Sequence, residues 1–216
     1  MVIKFVNKQS FKLVLALQQH DFRVIHAPDV ADTIIVKTAI DIAINQQAVT
    51  VAANDTDVFV MLLRHFKPSM ADMYMLSEKG SKKSCQKDIW NICDIYSALG
   101  DRMTEQLPVI HAISGCDTTS ALFGLGKASI LRKILSNEQS INLTRTLCHP
   151  RATIEDVAKD GLHLMRIIYS CEQQQSLDRG RYLSYMNMVA HSPNRPRPEK
   201  LPLTERAAYF HVLRVH

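Results

Sequence analysis

The stretch "AVTVAANDTDVFVMLLRHF" (48–66) decides the fold. Six small or β-branched residues, Ala48 to Ala53, form a short apolar run that ends at Asn54. That composition and length predict a buried parallel strand. Asp55, Thr56 and Asp57 then interrupt it, and the apolar residues from Val58 to Leu63 continue for long enough to predict a helix over 56–66. A strand, an acidic turn and a helix in this order are the core of a βαβ unit.

The pattern repeats on both sides. "FRVIH" (22–26) reads as a strand, flanked by a helix over 10–20 and a longer one over 28–47 carrying Val30, Ile34, Ala39 and Ile42. "MADMYML" (70–76) and "QKDIWNI" (86–92) read as strands around a basic, hairpin-like loop at 79–84. Residues 93–115 read as two short helices separated by Gly100, with Pro108 inside the second. Further helices are predicted over 127–136, over 153–171 with Thr153 and Asp156 as a capping pair, over 179–191, and from Thr204 onward. The resulting fold class is α/β, a parallel sheet with crossover helices followed by a mostly helical C-terminal part. By composition the chain divides into an α/β region over 1–135, a helical extension over 136–191, a Pro-rich linker over 192–202 and a terminal helix over 203–216.

At 46% hydrophobic and 22% charged residues, the chain has an ordinary globular balance, which excludes an intrinsically disordered reading. The net charge of +5 favours polyanionic partners, and Arg195, Arg197, Lys200, Arg206 and Arg214 concentrate part of it near the C-terminus. Five cysteines without a C-x-x-C pair argue against a zinc site or disulfide framework, and for a reducing, intracellular setting, nuclear or cytoplasmic. The start lacks the long apolar core of a secretion signal, and no apolar run approaches the roughly 20 residues of a membrane helix. The expectation is a protein that is neither secreted nor membrane-bound.

Two groups of residues carry candidate chemistry. The first is acidic. Ligands of open parallel sheets bind beyond the carboxyl ends of the strands, and Asp55 and Asp57 stand there. Asp32 opens the preceding helix, and Asp117 sits in the turn of "HAISGCDTTSALFGLGK" (111–127). Four convergent carboxylates suit a hard cation such as Mg²⁺ or Mn²⁺. The alternative stands beside it: Asp is a turn and cap former, and D-x-D after a strand also arises from capping alone. Asp29, by position, reads as an N-cap. The second group is Gly124-Leu125-Gly126-Lys127, which opens a helix carrying Arg132 and Lys133. Glycines allow close approach of the backbone, and amides at a helix start hold phosphate. It is not a Walker A loop, because Ala121 and Ala128 occupy two of that motif's required positions.

The order of these motifs resembles the flap endonuclease/XPG branch of the PIN-like nucleases. More narrowly, "VAANDTDVFVMLL", "LPVIHAISGCDTTSALFGLGK" and "LPLTERAAYFHVLR" look like a group of uncharacterised animal proteins associated with mobile elements. The resemblance implies a PIN-like fold lacking its first acidic strand, and a divalent-metal-dependent, structure-specific nuclease in truncated or degenerate form. It implies Asp32, Asp55, Asp57 and Asp117 as metal ligands, with Asp55, Asp57 and Asp117 catalytic. It implies Gly124, Gly126, Lys127, Arg132 and Lys133 as the grip on duplex or flap-junction DNA, with RNA left open. Val30 stands where that family carries an acid. The alternative is a module for nucleic-acid or protein binding that keeps the fold without the chemistry. In either case a protein partner is a candidate to cover the incomplete sheet.

Overall fold

The computed structural model describes residues 3–6, 19–20, 23–26, 30–81, 84–191 and 197–216. Most of the helix expected over 10–20, the cap expected at Asp29, the tip of the 79–84 loop and the first part of the Pro-rich linker lie outside the described residues. The chain divides into two compact units, Met1–Thr104 and Glu105–His216. No described helix is long and apolar enough to cross a membrane.

The first unit is mixed α/β. Strands β1 (Ile3–Val6) and β2 (Arg23–His26) pair in parallel. Helix α1 (Ala31–Ile44), β3 (Val49–Ala52), α2 (Thr56–His65) and β4 (Met73–Ser81) then form a βαβ unit with its preceding helix. Strands β3 and β4 are parallel, with Val49 opposite Met73 and Val51 opposite Met75. The purely parallel sheet expected from the alternation is corrected here. Strand β5 (Ser84–Asn91) runs antiparallel to β4, from Tyr74 opposite Asn91 to Ser81 opposite Ser84. Two residues separate β4 from β5, and a parallel return needs a crossover of a dozen or more.

Strand β3 is also not buried on both faces. Val51 is buried, whereas Thr50 and Ala52 are exposed. The covered face continues through Met73, Met75 and Ser77 on β4. Val36, Ala39 and Ala43 of α1 and Val58, Leu62 and Leu63 of α2 complete the core. Helix α3 (Ile92–Leu99) follows, and Tyr96 packs edge-to-face on Phe66 at 5.3 Å between ring centres. Gly100, at φ 75°, ends α3 as the sequence predicts, and α4 (Asp101–Ser114) starts at once, with Pro108 inside it.

The second unit is helical: the later part of α4, then α5 (Lys127–Leu135), α6 (Glu138–Cys148), α7 (Ile154–Ile168), α8 (Leu177–His191), a 3₁₀ turn (Pro198–Lys200) and α9 (Glu205–Val215). Helix α6 has no counterpart in the sequence reading. Its buried stripe is Ser140, Leu143, Thr144 and Leu147, so half of the positions that would carry a helical hydrophobic signal are hydroxyls. Thr144 Oγ1 donates to Gln106 Oε1 at 2.6 Å, which satisfies one of them.

Helix α7 is the centre of this unit and packs against α5, α6, α8 and α9. Its core residues Leu164, Met165 and Ile168 are fully buried. Gly161 lets α9 approach. A Cβ there would lie 2.0 Å from Val212 Cγ1, and 2.9 Å from both Val212 Cβ and Cγ2. Buried His211 on α9 donates from Nε2 to the Ile113 carbonyl at 3.0 Å. Gly161→Ala is therefore expected to destabilise the unit by about 1–2 kcal/mol, the overpacking cost exceeding the gain in helix propensity. Chemical denaturation checks this, and the loss should shrink in a Val212→Ala background.

Candidate nucleic-acid interface

Two rims carry the residues singled out by sequence, one in each unit. In the first unit, β3 ends at Ala52 and its ladder closes with Ala53 N–H donating to the Leu76 carbonyl at 3.0 Å. Asn54 Oδ1 accepts from the buried Ser77 hydroxyl at 3.2 Å, which fixes the exit of the strand. Asp55 is then the N-cap of α2. Its backbone is extended and its Oδ1 accepts from Asp57 N–H at 2.9 Å. Asp57 lies in the first turn of the same helix. Both carboxylates meet the positive end of the α2 dipole.

Asp32 occupies the first turn of α1, where Val30 is the cap residue and gives no side-chain bond. The other end of α1 is tied to the entrance of β4: Ala71 N–H donates to the Ala43 carbonyl and Gln46 Nε2 to the Ser69 carbonyl, each at 3.0 Å. From there the helix runs back about 21 Å along its neighbours. That places Asp32 towards the side where β3 stops and α2 begins. Among the described residues, however, no three His, Cys, Asp or Glu side chains gather closely enough to hold one metal ion.

The second rim follows α4. Ser114 Oγ donates to the His111 carbonyl at 2.8 Å, and Gly115 turns the chain at φ 104°. A Cβ on Gly115 would meet Ala121 Cα at 2.5 Å, so only glycine fits. Cys116 and Thr119 then close a tight turn by exchanging backbone bonds of 3.1 and 3.2 Å. Thr119 Oγ1 anchors that turn to α4 by donating to the Ala112 carbonyl at 2.5 Å. Asp117 and Thr118 stand exposed at the tip. Partial burial would raise the Cys116 thiol. Hydrogen bonds from Thr118 and Thr119 outweigh this and bring it below its ordinary value.

Gly124, at φ 77°, reverses the chain, and Gly126 caps α5 with no side chain to offer. The first turn of α5 carries no acid either. Lys127 Nζ donates to the His111 ring, 3.3 Å from Nδ1, and remains exposed. Arg132 is exposed beside an apolar groove formed by Ala128, Leu131 and Leu135. Lys133 is engaged elsewhere, donating to the Ile168 carbonyl at 2.5 Å and to Ser170 Oγ at 2.9 Å. It thereby completes the C-terminus of α7. The second unit also holds most of the positive excess, with 14 Lys and Arg against 10 Asp and Glu.

No protein-family model, curated protein or solved structure matches the chain.

The sequence leaves two roles open for Asp55, and the capping one has a direct test. Asp55→Ala should cost about 1 kcal/mol of stability, whereas Asp55→Asn or Asp55→Ser should cost a few tenths. Thermal melts of the three variants without added metal check this. Equal losses for Ala and Asn would mean that the carboxylate charge, and not the cap, matters there.

Proposed function

We propose that this chain is a nucleic-acid-binding module of PIN-like ancestry that grips the phosphate backbone chiefly through its second unit. The observation that carries this reading is the start of α5. Every other described α-helix has a side-chain cap or an acid in its first turn, and α5 has neither. The first amides of a helix need acceptors. Here they stand beside Lys127 at the end of a loop that two glycines keep open. A phosphate oxygen satisfies those amides and the local charge together.

The second reading is metal-dependent phosphodiester hydrolysis with Mg²⁺ or Mn²⁺ on Asp32, Asp55, Asp57 and Asp117. The acidic rim after β3 supports it. Asp55 already caps its own helix, so a divalent ion has to compete for that carboxylate. Binding without cleavage is therefore the favoured form.

A labelled flap or plain duplex, titrated at several salt concentrations, tests the proposal by fluorescence anisotropy. Wild type should bind with a steep salt dependence. Lys127→Ala with Arg132→Ala should weaken binding to all sequences alike, and lower the slope of log K against log salt by about 0.9 for each phosphate left without its cation. Salt-independent binding would contradict the proposal. Nicking of the flap by wild type in Mn²⁺, abolished by Asp57→Asn, would favour the second reading.

A further inference from the structure

Helices α6 and α7 and their connecting turn flank an open cleft of ≈ 440 Å³ that neither rim includes. One wall carries Arg145 and His149 from the end of α6 and Arg151 from the connecting turn, and the other carries Asp156 and Asp160 of α7. Opposed charges in one cleft normally pair. Here neither guanidinium makes a hydrogen bond or ion pair among the described residues. The carboxylates are occupied by hydroxyls instead: Thr146 Oγ1 donates to Asp160 Oδ2 at 2.5 Å, and Thr153 Oγ1 to Asp156 Oδ2 at 2.8 Å. Arg151 N–H donates to His149 Nδ1 at 3.3 Å, so the imidazole proton sits on Nε2 and is available as a donor.

We infer that this cleft holds a second backbone phosphate of the same bound nucleic acid, gripped by Arg145, His149 and Arg151. The inference rests on the nucleic-acid reading above. Guanidinium forks match phosphate oxygens in pairs, and both are unspent here. The acidic wall selects the form of the ligand. A free phosphate dianion would face Asp156 and Asp160 across the cleft and be repelled. A phosphodiester carries one charge and turns its sugar to that wall. A polymer also offers this phosphate at high local concentration once the α5 start is engaged.

The experiment compares Arg145→Gln with Arg151→Gln in one double variant against Lys127→Ala, using anisotropy of a labelled 20-nucleotide duplex and single strand. The double variant should weaken binding about tenfold at moderate salt and lower the salt slope on the duplex by about 0.9, for the one phosphate left without its cations. Asp156→Asn should strengthen binding, because it removes the repelling charge and leaves the arginines untouched. Unchanged affinity and slope in the double variant, with its circular dichroism melt intact, would overturn the inference. So would competition by millimolar inorganic phosphate that the double variant abolishes while its duplex affinity stays at the wild-type value; that outcome makes the cleft a small-anion site. If the double variant weakens binding and Lys127→Ala does not, the cleft stands and the α5 reading falls. If the double variant fails to fold, the Asp156→Asn arm decides, and no gain in affinity counts against the cleft.

Discussion

Helix starts need acceptors, and that requirement organises the molecule more than any single core packing interaction. The first amides of a helix have no partner inside it. At α2, α3, α6, α7 and α9 the partners are the side chains of Asp55, Asn91, Asn137, Thr153 and Thr204. At α8 the acceptor comes from another helix, since Glu205 Oε2 takes the Leu177 N–H at 2.6 Å while Asp178 Oδ1 takes the Glu205 N–H at 3.1 Å. The same constraint accounts for both rims. It occupies Asp55, one of the carboxylates that sequence alone offers to a metal, and the α5 start has neither a side-chain cap nor an acid in its first turn.

The two halves of the functional reading therefore separate in physical terms. An acidic rim made of one helix cap, Asp55, and the first-turn acids Asp32 and Asp57 is already stabilised by the helices it serves, and a cation must compete for it. The glycine-bearing loop that ends at Lys127 leads into a helix start with no side-chain cap and no competing acid in its first turn. The positive excess of the second unit acts over a longer range and steers polyanions towards it. Neither effect depends on base sequence, which is the character of a backbone-binding module.

Much of this was legible in the residues. The strand–acid–helix order of 48–66, the break at Gly100, the Thr153/Asp156 pair and the helix after Thr204 all rest on local chemistry, and local chemistry decided them. Three features were not legible. The direction of β5 depends on the length of its connection to β4, which the position of the strand ends sets. The open face of β3 depends on how many helices cover a small sheet, and an apolar run does not report that. Helix α6 was hidden because Ser140 and Thr144, the latter bonded to Gln106, fill core positions without a hydrophobic signature. With α6 unseen, the cleft lined by Arg145 and Arg151 had no visible walls. The D-x-D motif shows the converse, since its spacing was clear while its role as a cap became apparent only with the Asp57 N–H in place.

The central claim is that the amides opening α5 receive phosphate. Amide chemical shifts of ¹⁵N-labelled protein, followed during titration with a short duplex, test it at the atoms concerned. The account predicts that the Lys127 and Ala128 amide protons move downfield in a saturable way, and that added salt reverses the change. Saturable binding in which these two amides stay still, while residues elsewhere on the molecule shift, would contradict it.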